Sequence, residues 1–326
     1  MKIVITGASG FLGHHLSHYL YQRGHQVFPL VRSSEKANIF EKNGMHPCIG
    51  DVGDRQLLQS LLSEADVVFH LAALFNNPES SWEDYYRVNV EGVRLVLEVA
   101  KACEVSRVIH CSTVGVSSGD GLHASSESAP YSPPENDKYE KTKCEGEKVA
   151  LDFFRKEGLP IVVIRPAQVY GPGDVRKAKF YRMVKKGVLV GSGNNWKHLV
   201  YIDDMSRAFE LAMLNEQAVG QVFIIAGENP VLLKDLVHIV AKVLGVDLPK
   251  FHLPAVPITL LCALTEIICN RVGVKPPLFR RSMDFFTKSV QFDVTKAHKL
   301  LGFKSEVDIR TGIASTAAWY KNNGFL

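Results

Sequence analysis

The sequence predicts an α/β fold: a doubly wound parallel sheet followed by a smaller, mostly helical C-terminal region. Three observations predict it. Short apolar runs alternate with helix-period segments through the first half of the chain. Three glycines punctuate the first junction between such a run and such a segment. Polar motifs recur where the apolar runs end, which is where an open parallel sheet binds its ligands.

Taken in order, the β-rich runs at 2–6, 26–31, 46–49, 67–71, 107–111 and 160–164 read as strands. Helical patterns occupy 14–23, 55–62, 82–103 and 139–157. Strands separated by helices give β-α-β units and a sheet covered on both faces. After residue 164 the alternation loosens. The stretch 117–137 is rich in Ser, Gly and Pro, with Pro130, Pro133 and Pro134, and reads as an active-site loop. Residues 175–186 are strongly basic and read as a solvated helix face, with attraction of an acidic substrate or an anionic surface as the second reading. Residues 253–268 are strongly apolar but contain Pro254, Pro257 and Glu266, and fall short of a membrane span. A helix covering a substrate pocket or packing in the core is the first reading there. Contact with a membrane surface is the second.

The chain has 326 residues, 46% hydrophobic and 22% charged, with a net charge of +4. That length suits one large α/β domain with an elaboration or two domains, and the weak charge argues against a dedicated nucleic-acid binder. Six cysteines form no C-x-x-C pair, and the chain enters its first strand at once. A reduced, cytoplasmic protein without a signal peptide is expected.

The first turn carries the most chemistry. Gly7-Ala8-Ser9-Gly10-Phe11-Leu12-Gly13 joins strand to helix. Gly7 permits the tight turn, Gly10 lets backbone approach a pyrophosphate, and Gly13 lets the helix pack on the sheet. The helix N-terminus offers free N–H groups to the phosphates. The place of the turn between strand and helix predicts a Rossmann-type dinucleotide site, although its spacing is G-x-x-G-x-x-G and not the commoner G-x-G-x-x-G. Residues 1–170 are expected to form the nucleotide-binding domain, to which segments around 195–225 return, with 171–326 as a discontinuous substrate-binding region. At the end of the second strand stand Arg32 and, nearby, Lys36, where an NAD-selective site would place a carboxylate for the ribose 2′-hydroxyl. A guanidinium pairs with a 2′-phosphate, so NADP(H) is favoured, with NAD(H) as the alternative. Asp51, followed by Val52, could accept from the adenine amine or be an ordinary turn residue. His70 reads as a packed, hydrogen-bonded residue. The small residues Ala72 and Ala73 after Leu71 let backbone approach the cofactor.

Cys111-Ser112-Thr113 ends the fifth strand, and Tyr139 and Lys143 lie four apart on one helix face. A phenol with a pKa of about 10 is a poor acid or base at neutral pH. A neighbouring ammonium stabilises the phenolate, and a Ser or Thr hydroxyl orients the substrate oxygen.

At this point the chain resembles the extended short-chain dehydrogenase/reductases of the NAD-dependent epimerase/dehydratase group. The matching motifs are TGASGFLG at 6–13, GDV at 50–52, HLAA at 70–73, NVEGV from Asn89, CST at 111–113, YEKTK at 139–143, RPAQVYGPGD at 165–174 and HLVYIDD at 198–204. The tail from 290 is similar to dihydroflavonol-reductase-like and 3β-hydroxysteroid-dehydrogenase-like proteins. The resemblance implies that Tyr139 transfers the proton and that Lys143 holds the nicotinamide ribose and tunes Tyr139. It places Thr113 in the catalytic Ser/Thr position, with Ser112 its neighbour. It also sets Pro166 and Val169 against the nicotinamide, makes Asn89 structural, and implies a homodimer formed by the helices at 82–103 and 139–157. Ala167-Gln168 stands where nucleotide-sugar epimerases of the family often carry Asn, which argues against a sugar-nucleotide substrate. The expected activity is NADP(H)-dependent hydride transfer to or from a secondary alcohol or ketone of a hydrophobic small molecule. The alternative is a nucleotide-sugar epimerase or dehydratase with bound NAD. A non-catalytic redox sensor would be expected to have lost Tyr or Lys.

Overall fold

The computed structural model describes residues 1–326 apart from 76, 78, 118–122, 273 and 275–279, and gives backbone alone at 251, 252, 267, 270–272 and 280–282. Part of the expected active-site loop, 118–122, therefore lies outside the described residues.

Seven parallel strands form the main sheet: β1 (Lys2–Thr6), β2 (Gln26–Val31), β3 (Cys48–Ile49), β4 (Val67–His70), β5 (Arg107–Cys111), β6 (Ile161–Pro166) and β7 (Val222–Ile225). Their spatial order is β7-β6-β5-β4-β1-β2-β3. Sequence order reverses direction between β1 and β4, so the ligand crevice opens at the carboxyl ends of those two strands. The register sets Thr6, His70 and His110 side by side across β1, β4 and β5.

One layer beside the sheet holds α1 (Phe11–Gln22), α2 (Ser34–Glu41) and α7 (Ile202–Leu214), and α6 (Ala178–Lys185) precedes α7 in the chain. The other holds α3 (Arg55–Leu62), α4 (Trp82–Ala102) and α5 (Lys138–Glu157). The helix expected at 82–103 is continuous but not uniform. It runs as Trp82–Tyr86, a π turn at Arg87–Glu91, and Gly92–Ala102, together called α4. Its first turn closes with a capping box between Ser81 and Asp84. The strand expected at 46–49 shrinks to two residues, because it pairs only with the last two residues of β2. The strand expected at 160–164 starts one residue later and extends to Pro166, with the short strand Gln168–Tyr170 just beyond it.

The later chain returns to the sheet as β7, which pairs with β6 from Val222 to Ile225. It then builds α8 (Leu233–Leu244), α9 (Ala255–Val272), α10 (Arg280–Thr287) and α11 (Ile309–Asn322). Buried Asp204 on α7 accepts from Ser305 Oγ and from the amides of Glu306 and Val307, which ties the C-terminal segment to the helix layer beside the sheet.

Candidate functional site

The turn between β1 and α1 is shaped by close approach. Gly7 adopts φ +70°, and a Cβ there would lie 2.6 Å from the Ala72 amide. A Cβ on Gly13 would lie 2.4 Å from the Gly7 carbonyl. Only glycine lets the turn, the end of β4 and the first turn of α1 crowd together in this way. Gly10 is the N-cap and offers no side-chain cap. The amides of Phe11, Leu12 and Gly13 thus begin α1 without intrahelical acceptors. This cradle fits the pyrophosphate of a dinucleotide: uncapped donors, positive dipole end, and no side chain in the way.

Arg32 and Lys36 are exposed, the first just after β2 and the second on α2. Ser33 caps α2 by accepting from the Lys36 amide at 3.4 Å. Burial, then the charges of His18, His15 and Lys36, pull His14 down to about 4, which places the Lys36 ammonium near the first turns of α1. Asp51 accepts from the Gly53 amide at 2.9 Å, and Val52 is buried beside it. The turn reading of Asp51 is therefore satisfied, while its exposed carboxylate still faces outward.

The end of β4 is held from three sides. Ala72 N–H donates to Thr6 Oγ1 at 3.2 Å, and Thr6 Oγ1 meets His70 Nδ1 at 2.8 Å. Asn89, fully buried in the π turn, accepts from the Leu74 amide at 2.7 Å and donates to the Leu74 carbonyl and Thr142 Oγ1. The Asn89 carboxamide, in the π turn, thus links the Leu74 backbone just past β4 to α5, a use of this geometry common beside functional sites. Gly146 of α5 lets that helix press against the Asn89 carbonyl, where a Cβ would come within 2.2 Å.

At the end of β5, Lys143 is 2% exposed and its Nζ donates to the Cys111 carbonyl at 2.6 Å. Burial pulls its ammonium down from the ordinary range, and the same burial pushes the Cys111 thiol up to about 11. Tyr139, one turn earlier on the same helix, stands edge-on to Phe75 with ring centres 4.7 Å apart. Arg176 lies over both Phe75 and Phe11, so it spans the mouth between the β4 loop and the first turn of α1. Thr113 is half-buried and caps a short 3-10 turn by accepting from the Gly115 amide at 3.1 Å, which leaves its O–H free to donate.

Ser112 faces elsewhere. It is 3% exposed and donates to Glu147 Oε2 at 2.5 Å. Glu147 also accepts from Tyr131 at 2.7 Å and pairs with Arg165 at 2.6 Å, with both charged side chains almost fully buried. This network was not foreseen from sequence. Its signal was present: Tyr139, Lys143 and Glu147 recur every four residues, so a second charge lies on the inward face of α5. Pro166 ends β6 half-buried. Val169 is buried, and its carbonyl accepts from Lys177 Nζ. Lys177 thereby departs from the solvated face expected for 175–186, and burial pulls its ammonium down to about 8.

A doubly wound sheet with an uncapped glycine turn at its switch point, and a Tyr-x-x-x-Lys helix beside the next strand ends, defines a nicotinamide-dependent short-chain dehydrogenase/reductase. Residues 3–226 match the NAD dependent epimerase/dehydratase family, and the chain belongs to it. It is an NAD(P)-dependent enzyme acting on CH–OH groups. Among similar proteins, 3beta-hydroxysteroid-dehydrogenase/decarboxylase isoform 1 of Arabidopsis thaliana is 28% identical, over 96% of this chain and 78% of its own. A decarboxylating sterol-4-alpha-carboxylate 3-dehydrogenase of Candida albicans is 28% identical, over 98% of this chain and 97% of its own. The UDP-glucuronic acid 4-epimerase of Bacillus cereus, solved with NAD, shares the fold with a TM-score of 0.79 at 24% identity, over 99% of each chain.

Proposed function

We propose that this chain is an NADP(H)-dependent oxidoreductase that transfers hydride between the nicotinamide and a secondary alcohol or ketone of a hydrophobic substrate. The observation that carries the reading is the seating of Lys143: a buried ammonium held on the Cys111 carbonyl, one helical turn from Tyr139 and two residues of strand end from Thr113. The cofactor, when bound, supplies or accepts the hydride. Tyr139 gives or takes the hydroxyl proton, Lys143 favours its phenolate and meets the ribose, and Thr113 donates its free O–H to the substrate oxygen. Gly7, Gly10, Phe11, Leu12 and Gly13 hold the pyrophosphate, Leu71, Ala72 and Ala73 the adjoining backbone, and Arg32 and Lys36 the 2′-phosphate. Asp51 and Val52 border the adenine, while Pro166 and Val169 border the nicotinamide. The steroid and sterol names of two relatives support a hydrophobic secondary alcohol. Residues 1–170 with the returning 195–225 form the cofactor half. The outer faces of α4 and α5 pair two copies into a homodimer.

The test is turnover of steroid, flavonoid and acyl ketones against sugar nucleotides with NADPH and NADH, followed by Tyr139→Phe. Loss of a general acid–base group costs about 10²–10⁴-fold, so Tyr139→Phe should fall by that factor while cofactor affinity holds. Turnover of sugar nucleotides alone, with a cofactor that stays bound through purification, would instead establish the epimerase or dehydratase. Near wild-type turnover by Tyr139→Phe would remove Tyr139 from the chemistry.

A further inference from the structure

The helix α9 is inside out. Its exposed side chains among the described residues are Val256, Pro257, Leu260, Leu261, Leu264 and Ile268, and all are apolar. Four of them are more than half exposed by a wide margin, from 56% at Leu264 to 71% at Val256. At about 100° per residue these six positions fall within an arc of about 140°. The polar positions lie toward the protein instead. Thr259 and Thr265 are half-buried and donate to the carbonyls of Ala255 and Cys262, and Glu266 is half-buried too. Cys262 packs into a small cluster with Val190 and Met283. A soluble helix places its polar stripe outward, so a continuous outward hydrocarbon stripe marks a contact surface.

We propose that the exposed face of α9 rests on the surface of an anionic lipid bilayer, lying in the interface plane. Charge and length support this occupant. Between Glu266 and Asp284 the sequence holds Arg271, Lys275, Arg280 and Arg281 and no acidic residue. Lys250, exposed, immediately precedes the strand that leads into the helix, and Leu253 and Val274 extend the apolar surface at either end. A cation-rich sequence following an apolar helix suits anionic headgroups above acyl chains. Among the described residues no helix is long and apolar enough to cross a membrane. The helix therefore lies on the bilayer and does not span it.

The test uses the full chain in co-sedimentation with vesicles of phosphatidylcholine alone and of phosphatidylcholine with about one-third phosphatidylglycerol, at low and high salt. The protein should sediment with the anionic vesicles, less with the neutral ones, and less at high salt. Leu260→Gln combined with Leu264→Gln removes two exposed hydrocarbon side chains and should lower partitioning about tenfold or more, with Tm and cofactor affinity unchanged. Leu264→Trp, which keeps the face apolar, should become quenched by brominated lipid relative to the wild type. Absence of sedimentation, equal binding to neutral and anionic vesicles, or an unquenched Leu264→Trp each overturns the proposal. So does a vesicle-free assembly of the wild type that the double glutamine variant splits, because a second copy of the chain would then cover the face.

Discussion

Helices α5 and α9 invert the usual amphipathic rule in opposite directions. In α5, Thr142, Lys143 and Glu147 point inward and are almost completely buried. In α9, Val256, Leu260 and Leu264 point outward and are mostly exposed. The difference lies in compensation. Each buried charge of α5 meets a partner within the chain: the Cys111 carbonyl for Lys143, and Arg165, Tyr131 and Ser112 for Glu147. Buried polar groups persist when they are satisfied, and these satisfied groups fix the end of β5 against α5. The outward leucines of α9 have no equivalent partner among the described residues. A helix inverted with internal compensation builds a site, and one inverted without it marks a surface to be covered.

The comparison breaks most sharply at Glu147. Glu147→Ala leaves the Arg165 guanidinium buried without its carboxylate, a loss of about 3–5 kcal/mol for a broken buried pair. Denaturant unfolding should show that drop together with lower turnover, since Ser112 and the β5 end lose their anchor. A loss under about 1 kcal/mol would mean that the network is not holding α5 to the sheet.

Next in size is the cofactor cradle. Arg32→Asp should weaken NADPH by about 1.5–3 kcal/mol, the value of one charge-assisted contact, and leave NADH nearly unchanged. Titration of both cofactors by fluorescence checks it. Equal losses, or a wild type that prefers NADH, would separate Arg32 from the 2′-phosphate.

Acid should expose the row of histidines beneath α5. Complete burial, with a smaller push from the Lys143 charge, holds His70 down to about 3 and His110 well below its ordinary value. His70 and His110 stack with ring centres 5.6 Å apart. Their folded pKa values lie below the unfolded one, so the unfolded chain binds more protons as pH falls. Stability should therefore be level above about pH 6.5 and decline from there toward pH 3, by up to about 1.4 kcal/mol per pH unit per excess proton. His70→Asn should flatten part of that decline in a Tm-against-pH series. An unchanged slope would assign the acid sensitivity to other groups.

The smallest effect is expected on α9. Leu264→Gln, at an exposed position, should shift stability by no more than about 0.5 kcal/mol. Thermal unfolding checks it, and a loss comparable to that of Glu147→Ala would show that this face packs against the protein after all.

Local features were legible in the sequence because they depend on neighbours in the chain. The α3 boundaries at Arg55–Leu62 match the periodicity residue for residue, and the glycine turn announces itself by spacing alone. The interruption of α4 was not legible. A π turn at Arg87–Glu91 inserts one residue into an otherwise unbroken period, and within it Asn89 bonds the Leu74 backbone and Thr142, contacts remote in sequence. The two-residue β3 was overestimated because its length is set by pairing with the end of β2 and not by its own composition.

By itself, then, the sequence determined the alternation of strand and helix, the glycine turn between β1 and α1, and the placing of Tyr139 and Lys143 on one helical face. All follow from backbone geometry within a few residues. The tertiary structure decided which of two adjacent hydroxyls is free. Ser112 is spent on Glu147 and Thr113 keeps its O–H, because side chains at a strand end alternate and only the register of β5 against β4 and β6 sets which one turns toward α5. It also decided that the apolar stripe of α9 turns outward, since a hydrophobic period states that one face will be buried and leaves open what buries it.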